Sequence, residues 1–182
     1  MRYGIFLLCC LAVSALRAQP SPTGEGLDYF AKGYAYYCAG KYEAAIVNYD
    51  KAIERNPQAA DAYYNRALAK KNVNDLAGAI QDYNKTLELT PEDAEAYYNR
   101  AYARHELKDH NGALQDYNQA LKLAPKDADA YLNRGNVRVA LSDYRGAIAD
   151  FSKVIEMRPY SYQAYYNRGN ARRESIDLDG AI

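Results

Sequence analysis

A proline returns every 34 residues along this chain, at Pro57, Pro91, Pro125 and Pro159, and the residues around it return with it. Ala62-Tyr63-Tyr64-Asn65-Arg66-Ala67 reappears as Ala96-Tyr97-Tyr98-Asn99-Arg100-Ala101, as Ala130-Tyr131-Leu132-Asn133-Arg134-Gly135 and as Ala164-Tyr165-Tyr166-Asn167-Arg168-Gly169. One unit has been copied and lightly edited, and a period of this size constrains the architecture to a stack of such units.

Each unit reads as two helices. Asp93, Asp127 and Ser161 stand where a side-chain oxygen can accept from the free amides of a first helix, A, with Glu95 and Asp129 in its favourable first turn. The pairs Gly40-Lys41, Asn74-Asp75, Lys108-Asp109, Ser142-Asp143 and Ile176-Asp177 mark a turn, and in the last four an aspartate is placed to cap a second helix, B. Helix B stops before the proline, which lacks an amide and pushes its predecessor out of the α region. Small residues on helix A (Gly33, Ala67, Ala101, Gly135, Gly169) align with Ala45, Ala79, Ala113, Ala147 and Ala181 on helix B. Large rings at Tyr29, Tyr63, Tyr97, Tyr131 and Tyr165, and at Tyr49, Tyr83, Tyr117 and Phe151, are expected to plug the gaps between helices.

This pattern resembles the tetratricopeptide repeat (TPR), in the Asn-Arg-Gly style of exported bacterial proteins. The resemblance implies an all-α, right-handed solenoid over residues 26–182, with complete repeats at 26–59, 60–93, 94–127 and 128–161 and a truncated one at 162–182. Two positions depart from the family. Arg66, Arg100, Arg134 and Arg168 stand where leucine is common, and Lys70, Arg104, Arg138 and Arg172 where an aromatic is common. With Asp82, Asp116 and Asp150 recurring on helix B, the Asn-Arg arginines are expected to pair with an aspartate of the preceding unit.

Ahead of the repeats, Met1-Arg2-Tyr3 leads into an apolar stretch from Gly4 to Leu16 and then Arg17-Ala18-Gln19-Pro20. This reads as a secretory signal peptide over residues 1–18, cleaved after Ala18 or Ala15, followed by a linker at 19–25; an uncleaved membrane anchor is the alternative. Either way the repeats are expected to be exported, to the periplasm, cell envelope or medium. Cys9 and Cys10 leave with the signal, so Cys38 is the one remaining thiol. It is expected to be a small core thiol, with an intermolecular bridge as the other reading.

Basic and acidic residues balance at 23 each, which gives no clustered field for nucleic acid. Serines lack a neighbouring base, and no phosphate-binding loop or calcium loop is present. His105 and His110 lie five residues apart across a turn, without the same-face spacing of a helical metal pair. Neither a catalytic residue nor a metal or other cofactor is expected.

In TPR proteins the concave groove is lined by helix A, and the resemblance therefore points to Phe30, Tyr64, Tyr98, Leu132 and Tyr166 at the fifth repeat position. The ninth contributes Tyr34, Leu68, Tyr102, Asn136 and Asn170, with His105 near the helix end and Asp61, Glu95 and Asp129 along one rim. Tyrosines offer contact area at low rotamer cost, which suits a protein or peptide partner. The clamp that grips acidic chaperone tails is not reproduced, because Phe30, Tyr64, Tyr98, Asp129 and Asn133 replace its basic and polar elements. The leading expectation is an interaction scaffold. Two others stand beside it: a TPR appendage of a longer envelope protein, and a module that self-assembles through the open side of residues 164–175.

Overall fold

A computed structural model describes residues 24–179; the stretch expected to be a signal peptide and most of the expected linker lie outside the described residues, as does the end of the fifth unit. Among the described residues there are nine helices and no strand: α1 Gly24–Cys38, α2 Tyr42–Arg55, α3 Ala60–Asn72, α4 Leu76–Leu89, α5 Ala94–Glu106, α6 His110–Leu123, α7 Ala128–Ala140, α8 Tyr144–Met157 and α9 Tyr162–Asp179. Odd-numbered helices are the A helices and even-numbered ones the B helices. Each packs on its chain neighbours, forming a right-handed solenoid. Gly24 and Glu25, expected in the linker, belong to α1, where Glu25 pairs with Arg55 at 3.3 Å.

Local chemistry sets the helix ends. Asp93 accepts from the amides of Glu95 and Ala96, and Asp127 from those of Asp129 and Ala130. Asp75, Asp109 and Asp143 cap the B helices by accepting from Gly78, Gly112 and Gly146, each at 2.9 Å. The cap explains the glycine: a Cβ on Gly112 would fall 2.2 Å from Asp109 Oδ2. Every B helix ends one residue before its proline's predecessor, which takes a non-helical conformation at Asn56, Thr90, Ala124 and Arg158.

The A–B turn needs one residue at positive φ. Gly40, Asn74, Lys108 and Ser142 supply it, at 72°, 63°, 67° and 61°. In the fifth unit that position is Ile176, a β-branched residue for which the left-handed region is strongly disfavoured. The turn expected at Ile176-Asp177 does not form, and α9 runs straight through it to Asp179.

The core is a column of alanines and rings. Tyr49, Tyr83, Tyr117 and Phe151 are buried, each crossing the small residue of its own A helix. Phe151 lies so close that a Cβ on Gly135 would sit 2.5 Å from its ring. The other ring series is half-buried: Tyr97 and Tyr131 pack against the core shared with the preceding unit, as expected of plugs, and Tyr63, Tyr97 and Tyr131 each lie beneath the guanidinium three residues on, at 5.2–5.5 Å.

Those guanidinium groups bind mainly within their own unit, which corrects the expectation of an aspartate partner in the preceding one for Arg100 and Arg134; Arg66 has both, with Asp50 of the preceding unit at 2.6 Å. Arg100 donates from Nε and Nη2 to both oxygens of Asp116, at 2.8 and 2.6 Å, and Arg134 does the same to Asp150 at 2.9 and 2.6 Å. Arg66 grips Asp82 likewise, at 2.8 and 2.5 Å. The preceding unit receives only the remaining Nη1, at Asp50, Asn84 and Asn118. A second cation closes each carboxylate: Lys70 on Asp82, Arg104 on Asp116 and Arg138 on Asp150, at 2.8–2.9 Å. All three aspartates are buried.

Unit one has exchanged the whole set together. Its equivalents are Lys32, which turns to Asp28, then Tyr36 and the uncharged Asn48. A buried charge left without its partners is heavily penalised. Asp116→Ala strands Arg100 and Arg104 and should lower unfolding free energy by about 3–5 kcal/mol. Asn48→Ala at the matching position should cost about 1 kcal/mol or less. Urea denaturation of the two variants checks the contrast. At the turn, Ser142→Ile should cost about 1–2 kcal/mol in the same assay, and Ser142→Gly should not.

Candidate functional site

The A helices form the inner layer, since α1 touches α3, α5 touches α7 and α7 touches α9 across the units. Residues on this face are the expected groove set, and the structure divides them into two groups. Some hold the stack together. Tyr64 stands edge-on to Tyr83 with centroids 5.9 Å apart, Tyr98 to Tyr117 at 5.7 Å, and Phe30 packs on Tyr49 at 5.7 Å. Leu68 and Leu132 are likewise partly buried against the core. Others reach solvent: Tyr102 and Tyr166 are exposed, while Tyr34, Asn136 and Asn170 are half-buried.

The hydroxyl end of the ladder is already used. Tyr64 Oη accepts from Asn99 Nδ2 at 3.1 Å and donates to Glu95 at 3.3 Å, and Tyr98 Oη accepts from Asn133 Nδ2 at 2.8 Å. Tyr64 and Tyr98, at the fifth position, therefore lock to the sixth-position asparagine of the next unit. Where Leu132 lacks a hydroxyl, Asn136 takes over and accepts from Asn167 Nδ2 at 2.8 Å. Burial first, then the charge of Glu95, holds the Tyr64 hydroxyl above the usual phenol range; burial does the same for Tyr98, with Asp129 adding to it. Both remain neutral hydroxyls.

Asn99, Asn133 and Asn167 belong to this layer although the expected groove set omits them. Their recurrence one position after the tyrosine was the available signal. Lys71 adds to this layer: its ammonium donates to Asn99 Oδ1 at 2.9 Å and lies 5.5 Å from the centre of the Tyr102 ring, and burial lowers its pKa.

Two open recesses interrupt this face. One, of about 430 Å³, is walled by Tyr64, Glu95, Tyr98, Asn99, Asp127 and Asp129. The second, of about 420 Å³, has Val139, Phe151 and Ala171 among its apolar walls and Asn136, Asn167 and Asn170 among its polar ones. Rim acids are partly engaged. Asp129 holds Arg158 through two bonds of 2.6 and 2.9 Å, which keeps its carboxyl below the usual range. Asp61, the third rim acid, is exposed in the first turn of α3.

The turn brings His105 and His110 together, Nδ1 to Nδ1 at 3.0 Å, an approach that linear spacing did not suggest. Burial, followed by the proximity of His110, makes His105 harder to protonate. Among the described residues no three His, Cys, Asp or Glu side chains converge as a metal site. Cys38, expected in the core, is exposed at the end of α1. No helix among the described residues is long and apolar enough to cross a membrane.

Because the Tyr98 ring packs as Phe30 does, Tyr98→Phe should remove only the bond from Asn133. A loss of about 0.5–1.5 kcal/mol in urea denaturation is expected, with the helical circular-dichroism signal unchanged.

Comparison with known proteins places this geometry. A TPR repeat model matches residues 33–74, 73–108 and 101–142, and a tetratricopeptide repeat model matches 128–182. No curated protein sequence matches. Among solved structures, MamA superposes with a TM-score of 0.81 at 24% identity over 86% of each chain. YrrB, described as a TPR protein with an unusual peptide-binding site, superposes at 0.78 and 23% identity, over 86% of this chain and 81% of its own. The first TPR domain of Spaghetti (RPAP3), bound to the HSP90 peptide SRMEEVD, superposes at 0.63 and 30% identity, over 65% of this chain and 94% of its own. With four overlapping matches running from residue 33 to the last residue and the helix-pair geometry above, this chain belongs to the tetratricopeptide-repeat family.

Proposed function

We propose that this chain is an exported protein–protein interaction scaffold that holds a polypeptide segment of its partner against the inner face of the A helices. The observation that carries this reading is the division of labour between the two sides of helix A. The arginine positions turn toward the B helices and are consumed by buried carboxylates. The opposite positions present tyrosine rings and amides around two solvent-open recesses. Flat rings with few rotatable bonds and amides that both donate and accept suit a segment whose own backbone must be satisfied. This is binding chemistry, and it needs no nucleophile or base; the proposal is a non-catalytic module.

Likeness to a TPR domain that holds an HSP90 peptide supports a peptide-sized partner. The partner's chemistry differs here. Positions that would grip an acidic tail are filled by Phe30, Tyr64, Tyr98, Asp129 and Asn133, which supply no cation. Export rests on the apolar stretch in residues 1–18 and excludes cytosolic chaperones as partners.

Tyr102 and Tyr166, 39% and 57% exposed, are the groove rings whose loss spares the stack. Tyr102→Ala with Tyr166→Ala should change stability by no more than about 0.5 kcal/mol per site. A photoreactive residue at position 102 should cross-link a partner in the cell envelope, identified by mass spectrometry. One at Val47, exposed on helix α2, should not. Equal adducts from both positions would rule out the A-helix face as the binding surface.

A further inference from the structure

We infer that the His105–His110 pair is a binding site for one borderline first-row cation, Zn²⁺ or Cu²⁺, held through both Nδ1 atoms. The site is independent of the groove reading. It stands on geometry and on comparison with the same position in the other units.

His105 occupies the last turn of α5 and His110 is the first residue of α6. Their rings are tilted by 51° with centroids 4.9 Å apart, and the two Nδ1 atoms are 3.0 Å apart. A tetrahedral zinc with bonds of about 2.0–2.1 Å separates two of its nitrogen ligands by about 3.3 Å. In separation the pair therefore stands within a few tenths of an ångström of a chelating bite, and a modest turn of each ring, from facing the other Nδ1 to facing a shared point, completes it. The backbone that sets this distance is tied down. Lys108 N donates to His105 O and Asp109 N to Arg104 O, both at 2.9 Å, while Asp109 caps Gly112. Few degrees of freedom remain to be lost when a cation arrives, which is the condition under which two ligands suffice for measurable affinity.

The fold does not require imidazoles here. The equivalent pair is Tyr37–Tyr42 in unit one, an edge contact at 5.4 Å, then Lys71–Leu76 in unit two and Val139–Tyr144 in unit four. Packing alone is met by several combinations, yet unit three carries a metal-ligating side chain at both positions. Among neighbouring charges, the Glu106 carboxylate favours a cation at this turn and the Lys108 ammonium opposes it.

In the cation-free pair one Nδ1 carries the proton and the other accepts it. Binding moves that proton to Nε2 of the same ring, so both Nδ1 lone pairs face the ion and none is released from a neutral pair. Two of four coordination positions remain for water. Borderline cations are the ones imidazole nitrogen selects, whereas Mg²⁺ and Ca²⁺ prefer oxygen.

The untagged full chain should bind one Zn²⁺ in isothermal titration calorimetry near neutral pH. His110→Tyr alone should weaken it at least tenfold, and His105→Val with His110→Tyr, which copies the unit-four pair, should abolish it. Long-range ¹H–¹⁵N spectra of the unmutated protein supply a reading that does not depend on a variant folding. Saturating Zn²⁺ should leave both rings protonated at Nε2 alone. Undiminished binding by the double variant, no binding by the unmutated chain, or an Nδ1 proton that persists with zinc present would each overturn the site and leave a hydrogen-bonded pair.

Discussion

Three buried carboxylates, each gripped by two cations, are the constraint on which the stack depends. Asp82, Asp116 and Asp150 lie between the helices of their own units, where an ion without partners would cost several kcal/mol. The bidentate arginine satisfies both oxygens, the second cation adds charge, and the third guanidinium nitrogen reaches the preceding B helix. One side chain thereby ties three helices. A leucine at that position, as is common in the family, would fill space without direction, whereas a planar fork opposite a planar carboxylate admits little rotation or sliding. The seating of helix A on helix B within each unit is set by that geometry, and the single Nη1 bond carries it to the preceding unit. The joint replacement in unit one fits the same physics, since Lys32, Tyr36 and Asn48 leave neither a stranded anion nor two facing cations.

With register fixed, the inner face follows. The arginine consumes the B-helix side of each A helix, and the residue before it, an asparagine, is carried to the hydroxyl of the previous unit's tyrosine. The fifth unit differs among the described residues. Arg168 reaches back to Ser152 at 3.2 Å and lies over Tyr165, with no carboxylate among the described residues closing the fork. Around it Tyr165, Tyr166 and Gly169 are exposed where their counterparts in earlier units are covered to a greater degree.

Much of the architecture was legible because the features that specify it are local: the proline stops, the aspartate caps and the ring on each B helix need only their near neighbours. What was misread needed the third dimension. Asp50 and Asp82 are both 16 residues from Arg66, one on each side, so separation alone cannot choose between them. A signal was present nonetheless, since the downstream position stays acidic in units two to four while the upstream one drifts through Asn84, Asn118 and Ser152. His105 and His110 escaped helical spacing rules because a residue at positive φ, Lys108, folds one toward the other. The break expected at Ile176 rested on the repeat period, whereas copying a turn also requires copying a residue type that tolerates its conformation.

The groove set was only half legible for a related reason: position in a repeat says which face a side chain occupies, not whether a neighbour already uses it. Tyr64 and Tyr98 spend their hydroxyls on the next unit, leaving ring edges and the exposed Tyr102 to meet a partner. In the fourth unit Leu132 cannot accept that bond, and Asn136 moves into the role from the ninth position. The substitution preserves the link between A helices and changes the surface. Toward α3 and α5 the inner face is phenolic and bordered by Glu95, Asp127 and Asp129; toward α7 and α9 it is amide-rich over the apolar Val139, Phe151 and Ala171. On the proposed reading, a segment lying along the array would meet these two surfaces in sequence, and the edit that kept the fourth and fifth units joined is what makes the two ends of the face differ.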